Sequence, residues 1–398
     1  MLEQIFIALL LGIIIGTLTG IFPGIHINLV ATLLFITSAF FLQFTSPIVL
    51  AVFIISMAIM HTFTDFVPSI FLGAPNEDTA LSVLPGHRLL LEGNGYAAVK
   101  LTTVGCFFGV LIAIAISPFF IAVMPFIYPW LVKIMAFLLI AIVLILIIRE
   151  EKKMWAIIIF IISGVLGLAT LNFMAIKQPL FPLFSGLFGT SLLAMSFLQN
   201  VKIPKQKIQD IKVEKKEMTK ILGLSILSSS LVSFLPGVGS AQAAVISSAI
   251  KKIDEKIFLV LVGAVNTIVM CLSFVALFAI QKPRSGMAVF VGKFLPYFNE
   301  QQLWLLLLVT LIVASVAVFV TLLFARFFAQ GIMKINYKWL CFAIMILLLV
   351  LTPIISGWLG LIIVVTGTAI GIITSLVGVK KIHMMGSLLL PVILYYLI

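Results

Sequence analysis

The chain has 398 residues, of which 63% are hydrophobic and 10% are charged, and its mean hydropathy is +1.32. Soluble domains carry about 25% charged residues, so this composition excludes an ordinary soluble protein and predicts an all-α polytopic protein of the cell membrane. The net charge of +12 arises mainly from Lys and Arg in loops between apolar runs, which is typical of cytoplasmic loops. Since the aromatic residues are mostly Phe inside those runs, we expect membrane lipids and no nucleic acid as partners.

The reactive residues indicate neither a secreted scaffold nor an enzyme. Cys106, Cys271 and Cys341 each lie in an apolar run, so we expect no disulfide framework and no metal site. No nucleophile-base pair or metal-ligand spacing is recognisable in the sequence, so we expect no catalytic residue and no cofactor. The first apolar run lacks a basic region and a small-residue cleavage site, so we expect it to belong to the mature fold.

The chain begins with an apolar segment that has a small residue at every fourth position and then a Pro-Gly pair. These residues are Gly12, Gly16, Gly20, Pro23 and Gly24. Small residues at this spacing allow membrane helices to pack closely, and a break exposes backbone groups that must face protein or water. His26 and Asn28 are the polar residues just after this break.

The same pattern recurs, with Pro236 standing 213 positions after Pro23. The second set of residues is Ser225, Ser229, Ser233, Pro236 and Gly237. The duplication predicts a first membrane repeat at 1–199, a polar cytoplasmic linker at 200–219 and a second membrane repeat at 220–398.

The charges around the two breaks predict opposite orientations for the repeats. Basic clusters flank the second break on both sides, and the arm at 239–250 is about 18 Å long, too short for a membrane core of about 30 Å. We therefore expect a re-entrant hairpin that enters from the cytoplasm, with Pro236-Gly237 at its tip. Lys and Arg are absent from the first hairpin, so we expect it to enter from outside. The fold class is then two inverted-topology repeats.

Each repeat is expected to add about five transmembrane spans to its hairpin. The predicted spans are 48–72, 98–125, 130–148, 154–171 and 180–199, then 257–280, 302–328, 339–353, 357–376 and 384–398. Most basic residues then fall in cytoplasmic loops. Lys282, Arg284 and Lys293 are exceptions, because they fall on the outer side.

Matched breaks in two inverted repeats point to a transporter's binding site. A helix that restarts after Pro-Gly offers free N–H groups and a positive dipole end, and two such ends together can hold an anion. The alternative is a pair of kinked helices whose backbone groups are satisfied by neighbours. The expected substrate-binding residues at the tips are Pro23, Gly24, His26, Asn28, Pro236, Gly237, Gly239, Ser240 and Gln242.

Two further sets of polar residues follow the hairpins. His61 and Asp65 lie one helical turn apart in an apolar span, where a carboxylate needs a partner or a function, so we expect them to handle a coupling proton or sodium ion. In the alternative interpretation they reach interfacial water at the end of the span. Asn76 and Asn266 occupy similar Gly-Ala-x-Asn contexts and are expected to bind substrate, whereas the adjacent Glu77-Asp78 pair is expected to cap the next helix.

These motifs together resemble the large permease subunit of tripartite tricarboxylate transporters, the TctA-like family. The resemblance rests on the two tips and on Asn76, Pro85-Gly86-His87, Gly93-Asn94-Gly95 and Ala97-Ala98. It implies ion-driven uptake of carboxylates with a small membrane subunit and an extracytoplasmic binding protein. The chain departs from the family at His26, where a glycine is usual, and the segment 380–387 resembles an archaeal-type branch.

Three functions are therefore considered. The first is an ion-coupled carrier for a small organic anion, a carboxylate, held between the two tips. The second is a translocase for a lipid-linked phosphate, because paired Pro-Gly hairpins are also similar to those of polyprenyl-phosphate transporters. An intramembrane enzyme is the least favoured, and the sequence leaves a homo-oligomer open.

Overall fold

The computed structural model describes residues 1–23, 27–74, 78–198, 203–209, 211, 213–233, 239–250, 253–333 and 336–397. Secondary structure in these ranges is helical throughout. Nine helices in the described ranges are long and apolar enough to cross a membrane. The prediction of an all-α, multi-pass membrane protein is confirmed.

The described residues of the first half of the chain form ten α-helices. They are α1 (Leu2–Ile21), α2 (Ile27–Ile36), α3 (Ser38–Phe41), α4 (Pro47–Thr64), α5 (Phe66–Leu72), α6 (Val83–Leu91), α7 (Gly95–Ile148), α8 (Lys153–Leu171), α9 (Leu180–Phe184) and α10 (Ser191–Leu198). A 3-10 turn precedes α6, and a π-helical turn joins α9 to α10.

The described residues of the second half form eight α-helices. Its elements are α11 (Lys215–Ser233), α12 (Ser240–Ile250), α13 (Glu255–Ile280), α14 (Gly286–Phe294), α15 (Glu300–Ile332), α16 (Tyr337–Ser356), α17 (Leu359–Val377) and α18 (Gly386–Leu397). A long helix, a break and a short helix open each half. The division into two repeats and their inversion remain predictions.

Three predicted spans differ from the observed helices. Helical structure continues from Gly95 to Ile148 through Pro118, Pro125 and Pro129, where the sequence predicts two separate spans. Membrane helices tolerate proline because neighbouring groups satisfy the freed backbone, and a straight helix of this length would reach about 81 Å, so these prolines are expected kink sites. The predicted span at 384–398 is replaced by a 3-10 turn and a 12-residue helix, α18, that is only about 18 Å long.

The helices around the first break also have distinct lengths. The 20 residues of α1 extend about 30 Å and are enough to cross a membrane core, whereas the 10 residues of α2 extend only about 15 Å. After the second break, α12 is similarly short. A re-entrant path for either hairpin therefore remains a prediction.

Close contacts of small residues hold the buried helices together. A Cβ at Gly16 would lie 2.5 Å from the Met57 carbonyl oxygen of α4, and a Cβ at Gly12 would lie 2.5 Å from Ser56 Cβ. The small residues of the first segment therefore serve to pack α1 against α4. In α11, the matching Ser225 and Ser229 are buried, and α11 packs against α13.

The two halves pack against each other through their most buried spans, α4 and α13. Helix α4 packs against α15, and α13 packs against α7. Each buried span thus contacts a long helix from the other half. This arrangement brings the segments that follow both breaks toward a shared centre.

Candidate functional site

A cavity of about 670 Å³ lies where segments from both halves meet. Five of the predicted substrate-binding residues line it: Asn28, Gly239, Ser240, Gln242 and Asn266. Pro23 is described but is not among the lining residues of this cavity. The predicted residues Gly24, His26, Asn76, Pro236 and Gly237 lie outside the described residues, as does the predicted helix-capping Glu77.

A side chain of α12 accepts a hydrogen bond from the backbone at the start of the same helix. The backbone N–H of Gly239 donates to Oε1 of Gln242 at 2.9 Å, which satisfies one of the free donors at the helix start. The amide oxygen of Gln242 is therefore engaged by its own helix. Ser240, the first residue of α12, points instead to the first half of the chain and donates from its hydroxyl to the Asp78 carboxyl group.

Asp78 has a different role from the one predicted by its sequence context. The residue at the N-terminal cap of the following 3-10 turn is Thr79, so the prediction that Asp78 caps the next helix is wrong. The Asp78 side chain instead joins the loop after α5 to Ser240 and lines the cavity. Asp78 lies outside the membrane-spanning helices, and its burial raises the pKa of the carboxyl group, although the hydrogen bond from Ser240 opposes the change.

Two cavity-lining side chains carry donors that have no acceptor among the described residues. Asn266 is 2% exposed, and its Nδ2 group has no hydrogen-bond partner within the described ranges. The buried Nε and Nη2 groups of Arg284 likewise have none there. Buried donors without acceptors are costly, and N–H donors of this kind are suited to the oxygens of an anion.

Arg284 was not predicted as a site residue. Its guanidinium lies 4.6 Å from the centre of the Tyr128 ring, and Lys282 Nζ lies 5.1 Å from the same ring. Both residues were exceptions to the expected charge distribution. This departure from the predicted charge distribution was therefore the sequence signal that could have identified Arg284.

A third helix start borders the cavity. The side chain of Ser285 caps α14 and accepts a hydrogen bond from the Ala288 N–H at 3.2 Å. At Gly286, the first residue of α14, an added Cβ would collide with the Asn28 side-chain oxygen. The sequence analysis placed anion-binding helix starts only after the two Pro-Gly breaks, whereas the structure adds the start of α14 beside Asn28.

Comparison with known proteins identifies the family. The model of the tripartite tricarboxylate transporter TctA family matches residues 6–386. The chain belongs to the TctA family. It is also 32% identical over 400 residues to an uncharacterized protein of Methanocaldococcus jannaschii, with 98% of each chain covered. No solved structure matches the chain.

Membership in the TctA family establishes a transporter permease of the tricarboxylate type. Permeases of this family work with a small membrane subunit and an extracytoplasmic binding protein. The archaeal relative supports a prokaryotic origin, and the apolar helices place the protein in the cell membrane.

In this TctA-family permease, the predicted coupling residues are separate from the lining of the cavity. Both His61 and Asp65 are buried, and neither is among the residues that line the cavity. His61 Nδ1 is 3.1 Å from the Thr19 hydroxyl of α1. A Cβ at Gly20 would lie 3.1 Å from the Asp65 backbone nitrogen. The pair therefore lies beside the end of α1, and its burial disfavours the alternative of contact with interfacial water.

A series of polar contacts connects this region with the loop after α5, which carries Asp78. Pro68 lacks an N–H, so the helix is interrupted at Asp65, between α4 and α5. The Ser69 hydroxyl lies 2.9 Å from the Asp65 carbonyl oxygen and 2.7 Å from the Thr79 hydroxyl. Thr79 directly follows Asp78, so the coupling candidates and the cavity are joined through neighbouring polar groups.

Proposed function

We propose that this TctA-family permease carries a small organic anion, a carboxylate, in the cavity between the two helix breaks. The observation that supports it is the pair of buried donor groups on Asn266 and Arg284. The two side chains offer N–H groups in a cavity lined by both halves of the chain. A carboxylate would accept from both and relieve the cost of leaving them without partners.

The helix starts add a second source of attraction for an anion. Helices α12 and α14 both begin at cavity-lining residues, and α2 contributes Asn28. The positive end of each helix dipole would favour a negative charge. In this proposal, the Pro-Gly tips at Pro23-Gly24 and Pro236-Gly237 complete the site, together with His26 and Asn76.

Transport is proposed to be coupled to protons or sodium through Asp65 and His61. A buried carboxyl group can exchange a proton or hold a cation. Ser69 contacts both the backbone carbonyl oxygen of Asp65 and the Thr79 hydroxyl, so the backbone beside this carboxyl group is linked to the loop that carries Asp78. The proposed partners are those of the family: a small membrane subunit and an extracytoplasmic binding protein that delivers the anion.

A lipid-linked phosphate is the second candidate because much of the cavity wall is apolar. Leu171, Leu388 and Val392 are among the lining residues. An acyl or polyprenyl chain could lie against such a wall, with its phosphate at the same donor groups.

A matched pair of variants tests the binding site. Arg284→Gln removes the cavity cation, whereas Lys282→Gln removes a cation that contacts the same Tyr128 ring and is not among the lining residues. Loss of a charged hydrogen-bond partner is expected to weaken carboxylate binding roughly tenfold to a hundredfold in Arg284→Gln. Lys282→Gln should bind within about twofold of the unmodified protein. Equal affinity in both variants would contradict the proposal.

A further inference from the structure

The cavity walls from α8, α9 and α18 are mostly apolar, whereas α2, α12, α13 and α14 contribute both donor groups and apolar residues. Donor groups come from α2, α13 and the starts of α12 and α14. The segments α8, α9 and α18 instead contribute Leu171, Leu180, Leu388, Pro391 and Val392. Polar groups from these segments are fewer, namely Asn172 and Tyr395. The cavity thus has one mixed side that carries the donor groups and one mostly apolar side.

The charges that line the cavity are few. Among the described lining residues, Arg284 is the one cation and Asp78 is the one carboxyl group. The net charge of this pair is zero when Asp78 is ionised and +1 when Asp78 is protonated.

A tricarboxylate would fit these walls poorly. Its three negative charges would face one guanidinium and one carboxyl group, and charge without an opposite charge beside it is costly in a partly enclosed site. Its small polar body would also leave the apolar side chains without a partner. The volume of about 670 Å³ is in the range that accommodates a larger, mostly apolar ligand.

We infer that the ligand is an anion with a single charged head group and an apolar body, rather than a tricarboxylate. The head group binds Arg284 and Asn266, and the body contacts the walls from α8 and α18. This inference rests on the proposed function, because it concerns the same cavity. It departs from the substrate suggested by the family's description.

A set of six-carbon acids isolates the effect of charge. Hexanoate, adipate and propane-1,2,3-tricarboxylate carry one, two and three carboxylates on six carbons. Binding to the full-length purified protein is measured by calorimetry at pH 7. We expect hexanoate to bind at least tenfold more tightly than adipate, and the tricarboxylate to bind most weakly.

A second series isolates the effect of the apolar body. From acetate to butyrate to hexanoate, each added methylene should tighten binding by about threefold to fourfold if it enters an apolar wall. Leu388 lines the cavity from α18. The Leu388→Gln variant should reduce the hexanoate-to-acetate affinity ratio, and Arg284→Gln should weaken binding of every acid in both series.

The outcomes separate this inference from the proposed function. Tighter binding of the tricarboxylate than of hexanoate, lost in Arg284→Gln, would overturn the inference and retain the anion site. Absence of binding for every acid and for farnesyl phosphate would overturn both. Binding of farnesyl phosphate with no carboxylate binding would support the apolar body, identify a lipid source and overturn the carboxylate assignment.

Discussion

Asn266 lies in the middle of α13 with a buried amide nitrogen that finds no acceptor among the described residues. Such a group destabilises the unliganded protein and becomes useful only when a ligand supplies an acceptor. Replacement by leucine should therefore change stability and binding in opposite directions. The Asn266→Leu protein is expected to keep or raise its melting temperature while its carboxylate affinity falls roughly tenfold.

Calorimetry and thermal unfolding without ligand are the measurements for Asn266→Leu. A variant that unfolds more easily and binds normally would assign the Asn266 amide to packing. Asn266 would then be removed from the site.

Asp65 is the residue on which the coupling proposal depends. Its side chain is 3% exposed, and its backbone N–H donates to the His61 carbonyl oxygen at 3.0 Å. An amide cannot exchange a proton at this position and holds a cation weakly. Asp65→Asn should therefore lose accumulation of substrate against a gradient and retain substrate exchange, as measured in proteoliposomes. Unchanged accumulation with the same pH and sodium dependence would make Asp65 structural.

At the scale of elements, the small-residue segment of α1 is a packing surface. An added Cβ at Gly16 would meet the backbone of α4, while one at Gly223 of α11 has nothing within 4 Å. Gly16→Ala should destabilise the protein by about 1–3 kcal/mol through overpacking. Gly223→Ala is the matched control and should be neutral or stabilising, since alanine favours a helix by about 1 kcal/mol over glycine.

Thermal unfolding in detergent compares the two alanine variants. Equal melting temperatures would show that α1 does not depend on close contact with α4. The predicted order is a lower melting temperature for Gly16→Ala than for Gly223→Ala.

The sequence predicted most helices because long apolar runs and their polar boundaries are local features. The span predicted at 154–171 corresponds to α8 at Lys153–Leu171, for example. It did not predict the continuity of α7, since proline usually ends a helix in water and its effect in a membrane depends on neighbouring groups.

Only part of the site could be predicted from the sequence, because the rest also depends on contacts between distant segments. Residues next to each break could be assigned locally, and the structure brings Asn28, Ser240 and Asn266 to one cavity. The contact of Asp78 with Ser240 joins positions 162 residues apart, and Arg284 reaches the cavity from a separate loop. Such convergence depends on the packing of both halves and leaves no periodic pattern in the sequence.

At the scale of the molecule, the inverted topology predicts which loops face the cytoplasm. Lys207 in the linker is expected inside, and Gln43 after α3 is expected outside, and both are exposed. A cysteine at position 43 should react with an impermeant maleimide in intact cells, whereas one at position 207 should react only after permeabilisation. Labelling of the Lys207→Cys protein in intact cells would refute the inverted arrangement.

The central claim is that an anion binds between the two halves at Arg284 and Asn266. A structure determined with a bound carboxylate tests it most directly. We predict that the carboxylate oxygens lie about 3 Å from Asn266 Nδ2 and from the Arg284 guanidinium. A carboxylate bound elsewhere in the protein, with these donors still lacking an acceptor, would contradict the claim.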